Sequence, residues 1–181
     1  MGVQHSPEGR PLPLPNPTTR PFFSAARERR LLLQRCPRDG FFFYPRSRCP
    51  GCLGADWEWR EASGRGRVHS FTVDRVGHLP GLQHLVPYAI AIVELAEGPR
   101  MTARIVDCDL DSLAVGQEVA ARYEDVGDVT LVHFTPVELA SKAAKWPRSD
   151  AKRSEVHRAG AAQHGSAPPQ AQRAASRRRA E

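Results

Sequence analysis

Cys36-Pro37-Arg38-Asp39-Gly40 opens the stretch that decides the fold, and Cys49-Pro50-Gly51-Cys52-Leu53-Gly54 closes it. Two C-x-x-C knuckles on adjacent hairpins make a zinc ribbon, because their four thiolates close a tetrahedron around one ion. The second stretch is an intact knuckle, but the first has Asp39 in place of its second cysteine. The sequence therefore predicts a zinc ribbon whose first knuckle departs from the usual ligand set.

This donor set leaves two interpretations open. In one, Cys36, Cys49 and Cys52 bind Zn²⁺ together with Asp39, since a carboxylate can complete a zinc tetrahedron. In the other, aromatic residues hold the ribbon and the metal has been lost. A carboxylate in place of one thiolate should weaken the site, because thiolate suits zinc better. A catalytic zinc is not expected, because a closed ribbon site keeps no open coordination position.

The segment before the ribbon is predicted to contain one short helix. Ser24 is a candidate N-cap, and residues 25–30 are good helix formers. Residues 1–20 hold five prolines among mostly polar residues, and we expect them to be an unstructured lead-in.

A hydrophobic period of two begins after the second knuckle and predicts strands. Residues 57–61 are expected to form the last arm of the ribbon. Five further strands follow, with a helical turn at 110–113 between the third and the fourth; they are expected at 67–76, 88–95, 101–106, 118–123 and 129–134. That number and order of elements is the pattern of the OB-fold, a five-strand Greek-key barrel.

The predicted fold class is therefore mainly β: an N-terminal helix and a rubredoxin-like zinc ribbon, followed by a five-strand OB-fold barrel, with disordered termini. The expected limits are 1–20 for the lead-in, 21–62 for helix and ribbon, 63–140 for the barrel and 141–181 for a basic tail. The tail is rich in Ala, Arg, Lys, Ser, Gln and Pro, and it has almost nothing with which to build a core.

The formal net charge of +6 is distributed unevenly along the chain. Residues 141–181 contain ten basic residues against three acidic ones, whereas residues 68–140 contain four against eleven. A nucleic-acid-binding OB-fold is an alternative function, because such barrels bind single strands through a positive groove and stacking aromatic residues. The acidic barrel has the wrong sign for a phosphate track, so nucleic acid is not the expected partner.

The compartment is predicted from what the sequence carries at its N-terminus and in its apolar stretches. There is no apolar signal segment, and the longest apolar stretch, residues 85–93, is too short to cross a bilayer. Cysteines spaced as metal knuckles, without a secretory signal, are typical of metal-bound or structural thiols. We therefore expect a cytoplasmic protein with no membrane partner.

No catalytic set can be assigned from the spacing of the titratable residues. Cys108 lies between Asp107 and Asp109, whose charges should raise its pKa and so disfavour a nucleophilic role. The seven histidines form no paired metal motif, although His69 and His133 fall in predicted strands and could line a ligand groove. We therefore predict no catalytic residues and no stand-alone enzyme activity.

Several runs match one known family, in the same order and with the same spacing, over residues 21–136. These runs are Pro21-Phe22-Phe23, Leu31-Leu32-Leu33-Gln34-Arg35-Cys36, Pro45-Arg46, Cys49-Pro50-Gly51-Cys52, Ser63-Gly64-Arg65-Gly66, Ser70-Phe71-Thr72-Val73, Pro87-Tyr88-Ala89-Ile90-Ala91-Ile92-Val93-Glu94-Leu95, Glu97-Gly98-Pro99-Arg100 and Leu113-Ala114-Val115-Gly116. The chain thereby resembles the zinc-ribbon plus OB-fold proteins formerly catalogued as domain of unknown function 35. It departs from them at Asp39, where a cysteine usually stands.

The resemblance implies a non-catalytic accessory subunit of an acyl-CoA enzyme. Family members look like small subunits or fused domains that accompany thiolase-like enzymes, aldolases that cleave steroid side chains, and hydratase-type acyl-CoA proteins. The resemblance further implies that the chain docks to a thiolase-like or aldolase-like partner and flanks the path of coenzyme A, with acyl-CoA as the shared ligand. Lipid or steroid breakdown is implied only by the enzymes that family members accompany.

A contact with coenzyme A would need side chains that bind phosphate and an apolar chain. Arg65 and Arg67 lie beside the first barrel strand, and arginine suits phosphate through its fork of donors. Phe71 could pack against pantetheine or adenine. Each residue also has an ordinary explanation, a solvated turn for the arginines and a core position for the ring, and both interpretations stay open at this point.

Overall fold

The computed structural model describes residues 4–7, 9–78 and 81–137. Within these residues the chain is mainly β, as predicted, with a two-stranded hairpin, a three-stranded sheet, a closed five-stranded barrel and one α-helix. The predicted tail, residues 141–181, lies outside the described part of the chain. No helix in the described part is long and apolar enough to cross a membrane.

The elements follow the chain in a simple order. A hairpin of β1 (Gln4–His5) and β2 (Pro11–Leu12) precedes helix α1 (Arg20–Arg27). The ribbon sheet has three strands, which are β3 (Leu31–Cys36), β4 (Gly40–Phe42) and β5 (Glu58–Ala62). The barrel has five, which are β6 (Arg65–Asp74), β7 (Tyr88–Leu95), β8 (Arg100–Ile105), β9 (Glu118–Val126) and β10 (Val129–Pro136). A single 3₁₀ turn, Gln83–Leu85, comes before β7.

Strand β3 is the centre of the ribbon sheet and pairs antiparallel with β4 on one side and β5 on the other. Both neighbouring strands pair with the same part of β3: Gln34 lies opposite Phe42 on β4 and opposite Trp59 on β5. Leu31 and Leu33, one pleat apart, are buried towards the barrel. The ribbon therefore shares its apolar face with the rest of the fold.

The barrel closes in the order β10-β8-β7-β6-β9, with β9 also paired to β10. Neighbouring strands are antiparallel except β8 and β10, which meet in parallel at Ile105 and Phe134. An irregularity between Val68 and Ser70 bends β6, which pairs with β7 along its length and with β9 at its start. This is the Greek-key topology of a five-strand OB-fold, so the predicted fold class is confirmed.

The helical turn predicted for residues 110–113 is wrong. Asp109 accepts the backbone N–H of Asp111 through its side chain, and its carbonyl accepts the N–H and the hydroxyl of Ser112. Short polar side chains that bond to nearby backbone groups in this way compete with helix formation. The segment is consequently a turn, and this barrel has no helix between its third and fourth strands.

The predicted helix start at Ser24 is also wrong, because α1 begins at Arg20, with Thr19 as its N-cap. The Asn16 side chain accepts the backbone N–H groups of Thr18 and Thr19 and so bends the chain just before the helix. Pro21 sits in the first turn, where its missing N–H costs nothing. These upstream signals outweigh the capping preference of Ser24.

The described residues of the predicted lead-in are structured, which differs from the expectation for residues 1–20. Leu12 of β2 is buried, and the Arg10 side chain pairs with Glu124 of β9. Gly81 approaches the hairpin so closely that an added Cβ would lie 2.3 Å from the Arg10 backbone nitrogen. The composition of residues 1–20 predicted disorder because composition carries no information about contacts with residues that lie far away in the sequence.

One hydrophobic core joins the helix, the ribbon and the barrel. Phe22 from α1, Leu33 from β3 and Ala62 from β5 pack in the same cluster as Val93 and Phe134 of the barrel. A second, much smaller cluster lies at the far end of the ribbon, where the four predicted ligand residues are.

Candidate metal centre

The first knuckle lies at the turn between β3 and β4. Cys36 is the last residue of β3, and Asp39 comes directly before β4. Gly40 lies opposite Cys36 in the sheet and has a φ of 80°. Glycine adopts this left-handed conformation without a steric cost, so the turn can be tight enough to aim Asp39 back towards Cys36.

The second knuckle is held by its own backbone. The N–H of Cys49 donates to the carbonyl of Gly54, and the N–H of Leu53 donates to the carbonyl of Cys49. Leu53 has a φ of 58°, which completes the turn. These bonds fix Cys49 and Cys52 on the side of the loop that faces the first knuckle.

The four side chains converge as the spacing predicted. The Sγ atoms of Cys36 and Cys52 are 3.6 Å apart. Asp39 Oδ2 lies 3.1 Å from Cys49 Sγ and 3.5 Å from Cys36 Sγ. All four ligand atoms lie within 4.8 Å of one another.

These separations fit a tetrahedral dication. Around zinc with ordinary bond lengths, two thiolates lie about 3.8 Å apart and a carboxylate oxygen lies about 3.5 Å from a sulfur. The Cys36–Cys52 and Cys36–Asp39 distances are close to these values, whereas Asp39 Oδ2 lies nearer to Cys49 Sγ, at 3.1 Å. The donors are the sulfur and oxygen ligands that zinc accepts. The cluster of Cys36, Asp39, Cys49 and Cys52 could therefore hold a metal ion.

Hydrogen bonds shift the pKa values within the cluster. Contacts with the thiols of Cys52 and Cys49 lower the pKa of the Asp39 carboxyl. The same carboxylate raises the pKa of Cys52 to about 11. Burial would raise the pKa of Cys36, but the backbone N–H groups of Asp39 and Arg38 outweigh that effect and lower it. A metal ion would replace the thiol protons, since cysteine binds metals as thiolate.

Aromatic rings surround the cluster on its inner side. Phe42 is buried against Cys36 and Cys49, and Trp57 packs on the same group. The Trp57 ring is held in place because its Nε1 donates to the carbonyl of Ser47. Aromatic residues that could hold the ribbon without a metal are thus present. They are equally compatible with a bound metal ion.

Gln34 is a structural residue that the sequence reasoning missed. It is 1% exposed, its amide nitrogen donates to the carbonyl of Arg46 at 2.9 Å, and its Oε1 accepts the N–H of Arg46 at 2.8 Å. The pair ties the connection between the knuckles to the central strand of the ribbon. Its only signal was its place directly after the apolar run Leu31-Leu32-Leu33, in the middle of a predicted ribbon segment.

The three candidate contacts for coenzyme A lie on β6 but face different surroundings. Arg65 and Arg67 are alternate residues of the strand, and Arg67 is paired with Glu118 at 2.8 Å. Phe71 follows the irregularity in β6 and packs against the main hydrophobic core. The arginines lie on an accessible strand face, whereas the ring has the core position that its ordinary explanation requires.

A polar cluster on the outside of the barrel was also missed. His133 Nε2 lies 2.6 Å from Glu124 Oε2, and Arg10 and Arg104 reach the same carboxylate at 3.3 and 3.9 Å. Arg104 also lies over the ring of Tyr88. Burial lowers the pKa of His133, and it also lowers the pKa of Arg104. No sequence motif could signal this group, since its members lie on four separate elements.

A cleft of about 460 Å³ lies beside this polar cluster. Its walls combine rings of α1 and of the connection after β4 with the outer edges of β8 and β10, including Phe22, Phe43, Met101 and His133. The sequence raised His133 and His69 as residues that could line a groove. His133 does so, whereas His69 is exposed and lies 3.9 Å from Glu94.

Two family models match adjacent parts of this chain. The model described as the rubredoxin-like zinc ribbon domain of ChsH2 matches residues 23–58. The model described as the C-terminal OB-fold domain of ChsH2 matches residues 59–124. The boundary between the two matches falls at β5, where the ribbon sheet leads into the barrel.

Two curated relatives show the range of proteins with this architecture. The chain is 40% identical over 94 residues to a "DUF35 domain-containing scaffold protein" of Methanothermobacter thermautotrophicus, covering 51% of this chain and 70% of that relative. It is 35% identical over 129 residues to a "Probable enoyl-CoA hydratase alpha subunit" of Thermomonospora curvata, covering 70% of this chain. The chain spans only 40% of the length of that hydratase subunit.

A solved structure provides a comparison in three dimensions. In "Ltp2-ChsH2(DUF35) aldolase", one chain superposes with a TM-score of 0.61 at 34% sequence identity. The similarity covers 69% of the present chain and 98% of that chain. Ribbon and barrel therefore together make up almost the whole of a separate polypeptide in that assembly.

Proposed function

This chain belongs to the DUF35 family of zinc-ribbon and OB-fold proteins, and from that premise we propose that it is a non-catalytic accessory subunit of an enzyme that acts on acyl-CoA. The proposed partner is a thiolase-like or aldolase-like enzyme, which supplies the catalytic residues. The chain docks to this partner and helps to hold the coenzyme A substrate.

The observation that carries the proposal is the likeness to a chain of the Ltp2-ChsH2(DUF35) aldolase, which this fold matches over 98% of its length. A hydratase is the second candidate for the partner, and the relative from Thermomonospora curvata favours it. The geometry agrees with an accessory role. Among the described residues, Cys108 has its pKa raised by burial and by Asp109 and Asp107, which is the wrong direction for a nucleophile.

Zinc has a structural part in the proposal. Cys36, Asp39, Cys49 and Cys52 would hold the ion, which would supply a cross-link between the two knuckles. All four positions would be filled by the protein, so the ion would have no place for a substrate. The tip of the ribbon would then keep its shape although its own apolar cluster is small.

Coenzyme A contact is proposed at Arg65 and Arg67, which lie on one face of β6. The guanidinium groups would meet the phosphates, and the ion pair with Glu118 would hold Arg67 in an extended position. Phe71 lies on the same strand and packs against the core, and we propose that it contributes by holding β6 in place.

The proposal is tested by capturing partners of the full chain, tagged at its C-terminus, from its native host. We expect a thiolase-like, aldolase-like or hydratase-like enzyme at a near-equal molar ratio. The isolated enzyme should then turn over its acyl-CoA poorly until this chain is added. Turnover by this chain alone, or capture of nucleic acid without an acyl-CoA enzyme, would contradict the proposal.

The coenzyme A contact has its own control variant. Arg65→Gln together with Arg67→Gln should raise the KM of the complex for acyl-CoA while leaving capture of the partner unchanged. Arg75→Gln is a matched control, because this exposed arginine follows directly after β6 and lies 3.7 Å from Asp111. Equal KM values for both variants would remove Arg65 and Arg67 from the substrate path.

A further inference from the structure

We infer that Gly51 is a positioning residue of the metal centre, because its missing side chain leaves the room that the ligand side chain at position 39 needs. The inference rests on the metal site proposed above and extends it to a residue that is not itself a ligand. It concerns this chain's own departure from a four-cysteine set, Asp39.

The contact between the two residues is close. A Cβ on Gly51 would lie 2.8 Å from Asp39 Cγ, 3.0 Å from Oδ1 and 3.1 Å from Oδ2. All three nearest atoms belong to that one carboxyl group. Real Cβ atoms essentially never approach other atoms within 3.0 Å, so any side chain at position 51 must displace the carboxylate.

Other reasons for a glycine do not apply at this position. The φ of Gly51 lies outside the left-handed region, unlike that of Gly40, so an L-amino acid could adopt the backbone conformation. Gly51 is also exposed, so no core packing restricts the size of its side chain. The space occupied by Asp39 is the remaining constraint.

The position of the ligand atom on residue 39 depends on this space. Asp39 Cγ, the atom nearest to the added Cβ, carries the oxygen that faces Cys49. With Gly51 in place, Asp39 Oδ2 reaches to 3.1 Å from Cys49 Sγ. Pushed aside, the exposed carboxylate would rotate into solvent at little cost to the fold, and three thiols would be left without their fourth ligand.

The test measures the zinc affinity of the full chain by competition with a chromophoric chelator. Gly51→Ala should weaken zinc binding about tenfold or more, the range seen when residues that orient metal ligands are changed. Asp39→Cys should strengthen binding. In the Asp39→Cys background, Gly51→Ala should weaken binding as well, because Sγ takes the place of Cγ, the atom that lies 2.8 Å from the added Cβ.

A second background isolates the role of Asp39. In Asp39→Ala the carboxylate is gone, and adding Gly51→Ala should cause no further loss of zinc affinity. An equal loss from Gly51→Ala in all three backgrounds would overturn the inference, because the glycine would then act on the knuckle backbone. An unchanged affinity of Gly51→Ala in the original chain would overturn it as well.

The result is separable from the proposed function. If the original chain binds no zinc, the metal centre and this inference are both wrong, yet capture of an acyl-CoA enzyme would still support the accessory role. If zinc binds but the three backgrounds respond alike, only the role of Gly51 fails.

Discussion

The barrel and the ribbon tip hold themselves together in different ways. Barrel residues such as Val93 and Phe134 are completely buried within one large apolar cluster. At the ribbon tip, by contrast, only Cys36, Phe42 and Cys49 are buried together, and the contacts among them are directional ones between thiols and a carboxylate. One region depends on apolar area and the other on a few ligand distances, so the same perturbation should affect them unequally.

The largest effect is expected from removing a ring from the barrel core. Phe134→Ala should lower the free energy of unfolding by about 3–5 kcal/mol, because it leaves a cavity where the ring met the barrel interior. Urea denaturation measures the loss. Phe42→Ala at the ribbon tip is the matched control, and it should cost less because its apolar surroundings are small. Equal losses would break the contrast between the two regions.

Removal of the metal should affect the ribbon tip more than the barrel. A zinc chelator should increase hydrogen exchange about tenfold or more in the knuckles, 36–40 and 49–54, since the ion would be their main cross-link. Amides of β7 and β8 should change less than about twofold. Exchange that rises equally in both regions would mean that ribbon and barrel unfold as one unit.

An intermediate effect is expected where the ribbon connection meets its central strand. Gln34→Leu should destabilise the protein by about 1 kcal/mol, because it removes the partner of the N–H and C=O of Arg46 in a partly buried site. Arg46→Ala keeps both backbone groups and should stay close to the original stability in the same thermal melt. A loss in Arg46→Ala as large as that in Gln34→Leu would shift the explanation to the side chain of Arg46.

The smallest effect concerns pH and the polar cluster of the barrel. Burial lowers the pKa of His133 from its ordinary value of 6.5, so the unfolded chain takes up a proton before the folded chain does. Stability should therefore decline as pH falls below about 6.5. The lowered pKa of Glu124 adds its own loss only below about 4.5.

The variant His133→Gln should flatten the pH dependence of stability between pH 6.5 and 5. His69→Gln, at an exposed position, should leave it unchanged. The measurement is the urea midpoint at a series of pH values. A slope that persists in His133→Gln would place the titrating group elsewhere in the chain.

The features of this fold that depend on short-range sequence patterns could be predicted well. Short apolar patterns, an alternating one at 67–76 and a continuous one at 88–95 among them, predicted the five barrel strands. Cysteine spacing predicted which four side chains meet at the ribbon tip. Both signals are local, because strand period and knuckle spacing are properties of a few consecutive residues. The wrong prediction of a helical turn at 110–113 also concerned a local feature, since hydrogen bonds accepted by Asp109 stabilise a turn there instead.

Contacts between distant segments could not be predicted in this way. The N-terminal hairpin is held by Arg10 and Leu12 on the barrel, and the polar cluster draws on β8, β9 and β10. Proline content predicted disorder because it reports the chain's own preferences and carries no information about a remote partner. The room that Gly51 provides for Asp39 is likewise visible only once the two knuckles face each other.

The contact between Arg10 and Glu124 spans 114 residues of chain. Bringing such distant residues together carries a loop-closure entropy that is recovered only after the segments between them are ordered. We therefore expect the hairpin of β1 and β2 to be among the last segments to reach their place, because the barrel on which it packs must form first. Arg10→Ala should then speed unfolding without slowing folding in a stopped-flow experiment, as expected for a contact that forms only after the transition state.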